Sequence, residues 1–220
     1  MYQWDFTQIW RYKELLISGL QYTIWFTVIS IVAGLALGLV VALGRLSSPI
    51  VLGIPLRAGV ELFRCTPILV ILIWFYYALP VLLDVNLSAA MAAFLSLSFY
   101  GGSFYSEIIR AGIVSIDPGQ VEAAKALGMR QRAAMRRIVL PQAFKRMIPP
   151  LMNQSILQLK NTSLISVLAV PDLVYQGQLI AHETYRPLEI YSIVALSYFI
   201  VLFPATLFVQ HIENRLARSN

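Results

Sequence analysis

GLQYTIWFTVISIVAGLALGLVVALG, residues 19–44, runs for 26 residues without a charged side chain. A hydrocarbon core about 30 Å thick needs about 20 apolar residues as a helix, so this stretch predicts a transmembrane span with some tilt. Gly34, Gly38 and Ala42 recur at four-residue spacing inside it. That spacing lets another helix come close, although membrane helices are rich in glycine anyway. The whole chain agrees with the stretch. Of its 220 residues 58% are hydrophobic and only 13% charged, with a mean hydropathy of +0.70, which a soluble domain with a polar surface does not reach.

Working outward, the predicted spans are 19–44, 58–83, 87–110, 147–171 and 190–210, giving an all-α integral membrane domain of five transmembrane helices over residues 1–220. The second region is apolar from Val51 to Leu83 except for Arg57, Glu61 and Arg64, and is longer than a span requires. Either its helix begins near Arg64 or the charges enter the membrane with it, and Pro67 and Pro80 suggest bends. In the fourth, Met147–Leu159 and Asn161–Pro171 are each too short to cross, so crossing takes both and puts Lys160 near mid-membrane. Residues Met1–Ser18 mix Asp5, Arg11, Lys13 and Glu14 and lack a basic region followed by a small-residue cleavage site, so no cleavable signal peptide is expected. The single cysteine, Cys65, excludes an internal disulfide and a multi-cysteine metal site, and neither His182 nor His211 has a second ligand at metal spacing.

The net charge of +6 is unevenly placed. Thirteen of the seventeen basic residues fall on one side of this five-span plan: Arg45, Arg57 and Arg64; Arg110, Lys125, Arg130, Arg132, Arg136, Arg137, Lys145 and Arg146; and Arg215 and Arg218. Cytoplasmic loops carry such an excess, which predicts an outside N-terminus, a cytoplasmic C-terminus and a cytoplasmic loop over 111–146. Within that loop Asp117–Pro118–Gly119 reads as a helix start with Asp as N-cap. Gly128 is placed to end this helix as its left-handed cap. A second short helix from about Arg130 to Val139 is expected to stop before Pro141. Ala123, Ala124 and Leu127 share a face of the first helix. Three readings of the pair stay open on pattern alone: a DNA-binding helix-turn-helix, a basic loop attracted to anionic lipid, and a docking element for a cytoplasmic protein. The tether at both ends to the membrane argues against reaching a duplex, so no nucleic-acid partner is expected.

The string EAAKALG at 122–128, with IVLP at 138–141, resembles the EAA loop of permease subunits of ABC importers, whose pattern is EAA, then G, then I-x-LP. ELFRCTP at 61–67, YSEIIRAGIVSI at 105–116 and LKNTSL at 159–164 resemble further motifs of the polar amino acid subfamily. Trp74-Phe-Tyr with Pro80, together with LPQAF at 140–144, is most similar to glutamate/aspartate permeases. Cys65 and Ile71 depart from the residues usual in that subfamily, glycine and, in many members, glutamine. The resemblance implies a type I ABC importer transmembrane domain in a bacterial cytoplasmic membrane, with a short coupling-helix pair on which a cytoplasmic ATPase docks through Glu122, Ala123, Ala124, Leu127 and Gly128. It implies three protein partners beside membrane lipid: the ATP-binding subunit, a second identical or related permease subunit, and a periplasmic or extracellular solute-binding protein. No GxxxxGK(S/T) phosphate loop occurs here, so ATP and Mg belong to the partner, and no cofactor or catalytic residue is expected on this chain.

Ionisable groups inside a membrane are costly and are read first as functional. Lys160 with Asn161, Thr162 and Ser163 offers a cation and hydrogen-bonding groups suited to a carboxylate, or else a charge partner for Glu107 or Glu61. Glu61 and Arg64, one turn apart with Thr66 nearby, could hold the two charges of an amino acid or form a boundary ion pair. Glu107 and Arg110 have the same spacing and suit the inner end of the third span, with Glu107 also a candidate for the substrate. The excess of Arg64 and Lys160 over Glu61 favours an acidic ligand. The expected activity is ATP-driven, binding-protein-dependent import of glutamate or aspartate by alternating access. The alternatives are glutamine, arginine or histidine as substrate, and an ion-coupled secondary transporter, which would normally carry a second copy of the 147–171 pattern.

Overall fold

The computed structural model describes residues 2–47 and 50–217; Arg218, counted above in the basic tail, lies outside the described residues. Every element among them is helical. A 3₁₀ turn, Gln8–Tyr12, leads into α1 (Lys13–Ser47), followed by α2 (Gly53–Cys65), α3 (Ile68–Leu83) and α4 (Ala89–Val114). The loop region holds α5 (Pro118–Ala126) and α6 (Gln131–Ala134), after which come α7 (Leu140–Asn161), α8 (Leu173–Thr184) and α9 (Pro187–Ala217).

Two predicted elements take a different form. The run 58–83 is not one rod. Thr66, preceding a proline, is driven out of helical geometry to φ −102°, ψ 132°, and α2 and α3 meet there at 108°. Arg57, Glu61 and Arg64 therefore leave the line of α3 with α2. The second short loop helix was expected to stop before Pro141, but it continues. Residues Met135–Val139 form a π turn in which the Leu140 N–H reaches the Met135 carbonyl, five residues back, and α7 follows directly with Pro141 in its first turn. Proline lacks an N–H and crowds the carbonyl four residues earlier, and the widened turn absorbs both. Helical backbone then runs without a break from Gln131 through the 3₁₀ segment Thr162–Leu168 to Ala169, which is left-handed at φ 55°.

The segments Ile9–Ser47 and Pro187–Leu216 are each long and apolar enough to cross a bilayer, while α2–α3 and the run from Gln131 to Thr184 reach that only as bent pairs. The 26 residues of α4 are diluted by Ser96, Ser98, Gly101, Gly102, Ser103 and Ser106, all buried. This composition follows from its place: α4 packs against α1, α2, α3 and α7 at once, facing protein rather than lipid. The outward faces are the apolar ones, as with Trp25, Val32 and Val40 on α1 and Phe199, Ile200 and Phe208 on α9. Inside, short polar side chains join the helices. Thr27 and Thr162 hydroxyls lie 3.2 Å apart, the Leu173 N–H donates to Thr23 Oγ1 at 3.0 Å, and Gln158 Nε2 donates to the Leu97 carbonyl at 2.8 Å.

The α1–α4 contact brings backbone close to backbone. A Cβ at Gly38 would stand 2.7 Å from the Tyr105 Cβ and 2.9 Å from the Gly102 carbonyl, and one at Gly34 would stand 3.3 Å from the Gly102 nitrogen. Ala42, next in the series, is completely buried. The small-residue repeat read from the sequence is thus the seat of α4. Gly38→Ala should destabilise the chain by about 1–3 kcal/mol, since only backbone and a buried Cβ could yield. Gly59→Ala, with nothing within 4 Å of its added methyl, should be neutral or slightly stabilising. Thermal unfolding in detergent checks the pair; equal melting temperatures would remove the close approach as a determinant of the fold.

Candidate functional site

The loop between α4 and α7 is a closed hairpin with specific ends. Asp117 caps α5 by accepting the Gly119 N–H at 2.8 Å, with Pro118 in the first turn. At the other end Gly128 has φ +80° and donates its N–H to Lys125 O at 2.9 Å, while the Met129 N–H reaches Ala124 O at 3.0 Å. These two bonds make a Schellman cap, whose left-handed residue is glycine because a Cβ there is strained. The hairpin is pinned to the bundle by Gln142 Nε2 donating to Gln120 Oε1 at 2.6 Å and by Arg146 Nη1 donating to the Ser115 carbonyl at 2.6 Å. Beneath it Ala42, Ile109, Ile116, Val139, Ala143 and Met147 form one apolar cluster.

The face presented outward differs from the expected one. Glu122, Ala123, Leu127 and Gly128 are exposed, Leu127 to 84%, but Ala124 is 2% exposed. Because α5 folds back on α6 and the π turn, Ala124 lies inside the hairpin and not on its outward face. Elsewhere on the loop Lys125, Arg130, Arg132, Arg136 and Arg137 are exposed as well.

The predicted substrate groups fall into separate sets. On α2, Arg64 Nη1 lies 3.3 Å from Glu61 Oε1, its guanidinium rests 5.5 Å from the centre of the Phe104 ring on α4, and its Nε is buried without a hydrogen-bond partner. The Thr66 hydroxyl donates back to Leu62 O at 2.7 Å, and Cys65 Sγ lies 3.9 Å from Glu61 Oε2. Lys160, at the end of α7, is exposed and forms no ion pair among the described residues, with either Glu107 or Glu61. Ser163 donates to its carbonyl at 2.7 Å, and Asn161 is half-buried. Thr162 is different: fully buried, its hydroxyl is committed to Leu159 O and to Thr27, so it ties α1 to this turn rather than facing a ligand. Ile71 is 5% exposed in a cluster with Phe75 and Ala92, so this departure sits in the core.

Glu107 bridges Arg110, one turn on, and Arg45 at the end of α1, the latter at 2.8 Å with an Arg45 side chain only 8% exposed. In sequence Arg45 is simply one of the basic residues of the first loop. Nothing in the spacing of residues 45 and 107 announces the pair, which forms because α1 and α4 run side by side to the same end of the bundle. Gln158 also went unremarked; it is completely buried, its amide packed against Gly101.

Residues 34–218 match the family described as the binding-protein-dependent transport system inner membrane component, and the chain belongs to that family. It is a permease subunit of a polar amino acid ABC importer, without an ATPase of its own. The glutamine transport system permease protein GlnP of Escherichia coli (strain K12) is 35% identical over 215 residues, covering 97% of this chain and 98% of that one. The glutamate/aspartate import permease protein GltK of Escherichia coli O157:H7 is 36% identical over 227 residues, covering 99% and 100%. A crystal structure of an amino acid ABC transporter with histidines superposes with a TM-score of 0.91 at 36% identity, covering 97% of this chain and all of that one.

Ala124→Arg should open the hairpin, because a long cation has no room at a 2% exposed position, whereas Ala123→Arg should be accommodated at the surface. Hydrogen exchange over residues 118–139 measures this. Comparable protection in the two variants would show that the inside and outside of α5 have been confused.

Proposed function

We propose that this permease carries acidic amino acids, glutamate or aspartate, with the α5–α6 hairpin as the surface that receives a cytoplasmic ATPase. The observation that supports the substrate is the balance of charge at the candidate groups. Arg64 keeps a buried Nε without an acceptor and Lys160 has no ion-pair partner among the described residues, against one carboxylate, Glu61, already shared with Arg64. One net positive charge, together with a free Arg64 donor, suits a ligand with two carboxylates and a single ammonium. The exposure of Lys160 on the single chain fits a pathway completed by a second permease subunit. The second reading is glutamine, favoured by the near-equal identity to GlnP and GltK. In that case Lys160 receives the α-carboxylate that all amino acids share, and side-chain selection rests on the binding protein.

For docking, the supporting feature is Leu127, an apolar side chain held outward by a capped helix end within a basic loop. The positive loop then lies in the cytoplasm with the C-terminus, and the N-terminus lies outside. ATP-driven closure of the ATPases would move the hairpin and alternate the access of the spans.

Uptake in vesicles reconstituted with the ATPase and binding protein tests both parts. Glutamate and aspartate should compete for transport at least 10-fold better than glutamine, and Lys160→Ala should abolish uptake while the complex still assembles. Equal competition by glutamine would overturn the acidic assignment. Leu127→Asp should reduce co-purification of the ATPase without lowering the permease's melting temperature; undiminished association would remove Leu127 from the interface.

A further inference from the structure

At the end of the bundle that carries the hairpin, a cavity of about 210 Å³ opens between α1, α2 and α4, lined by Arg45, Gly53, Ile54, Arg57 and Arg110. Three arginines line it, and Glu107 is already engaged by two of them, Arg45 and Arg110. Three arginines against one carboxylate leave the cluster a net charge of two, with Glu107 shared by Arg110 and by an Arg45 side chain almost removed from water. Arg57 has no ion pair among the described residues. Helix α2 starts at this cavity, without a side-chain cap, adding the partial positive charge of its N-terminus. Such a convergence of forked donors fits the oxygens of a phosphate better than a single carboxylate, and the volume is several times the ~30 Å³ share of a water molecule.

We propose that this cavity binds a phosphate group, and that it is presented by an anionic membrane lipid. The flank of the cavity argues for the lipid source. Ile50, Val51, Leu52 and Ile54 are all exposed beside it, Ile50 and Val51 to 74% and 75%. A basic pocket bordered by apolar side chains at the end of a membrane bundle meets both halves of a lipid, where free phosphate would use only the pocket. Occupied, the site joins α1, α2 and α4 through one anion and holds α2 at its angle to α3. Its residues are distinct from Glu61, Arg64 and Lys160, so it stands apart from the substrate reading.

Binding can be read by native mass spectrometry of the intact chain in detergent, titrated with phosphatidylglycerol or with phosphatidylcholine of the same acyl chains. Arg57→Gln leaves no broken ion pair behind, so it should keep the wild-type melting temperature while weakening phosphatidylglycerol at least about fivefold, roughly the contribution of one basic side chain at a membrane surface. Arg57→Lys should retain most of the affinity, and Arg132→Gln, on the hairpin, should retain all of it. If inorganic phosphate binds the wild type as tightly as phosphatidylglycerol and loses its affinity in Arg57→Gln, the phosphate site stands and its lipid source is overturned. If Arg57→Gln and wild type bind phosphatidylglycerol and phosphate alike, the proposal is wrong. It is equally wrong if the substitution spares the lipid and loosens only the ATPase, since the arginines then serve a protein contact.

Discussion

The approach of α1 to α4 at Gly34, Gly38 and Ala42 sets the geometry on which the rest depends. In lipid there is little hydrophobic gain from bringing helices together, so contact has to come from close backbone packing and hydrogen bonds between helices. Gly38 against Gly102 and Tyr105 supplies the first, leaving no room for a methyl group. With α1 fixed along α4, the ends of the two helices fall side by side, which brings Arg45 to Glu107 and makes the floor beneath the hairpin. Helix α7 then closes on α4 through the Tyr105 and Ser155 hydroxyls, 3.1 Å apart, and through Gln158.

Much of this was legible in the residues because the solvent imposes strong rules. A charge-free run of 26 residues has few fates, and it lies in a single apolar helix long enough to cross a bilayer. The caps of α5 were legible for a related reason: Asp117, Pro118 and Gly128 each do something at a helix end that few residues do as well. What was hidden depended on contacts far apart in sequence or on competition within one turn. Thr66–Pro67 could be read as a bend but not as a corner of 108°, since the angle is set by α2 packing on α4. Pro141 looked like a stop, but a π turn leads into it and the helix continues as α7, which packs on both α4 and α9. Ala124 shares a helical face with Ala123 and Leu127 in projection, yet the fold of α5 onto α6 divides that face into an inside and an outside.

The candidate substrate groups were the least legible. Residues 160–163 read as one polar patch, whereas the helix turns Lys160 outward and Thr162 inward, and only the packing of α1 on this turn separates the exposed side chain from the structural one. The Glu61–Arg64 pair was visible as a spacing, but its setting against Phe104 and the unsatisfied Nε were not. Charge at these positions carries information about a ligand because so little else in the bundle is charged.

The unbroken helical backbone from Gln131 to Leu168 has a mechanical consequence. At about 1.5 Å per residue it is a rod of roughly 55–60 Å with the hairpin at one end and Lys160 near the other. A displacement at one end is carried toward the other except where the hydrogen-bond ladder is interrupted, at the π turn beside Pro141 and at Pro149 and Pro150 inside α7, so any bending of the shaft gathers at those two places.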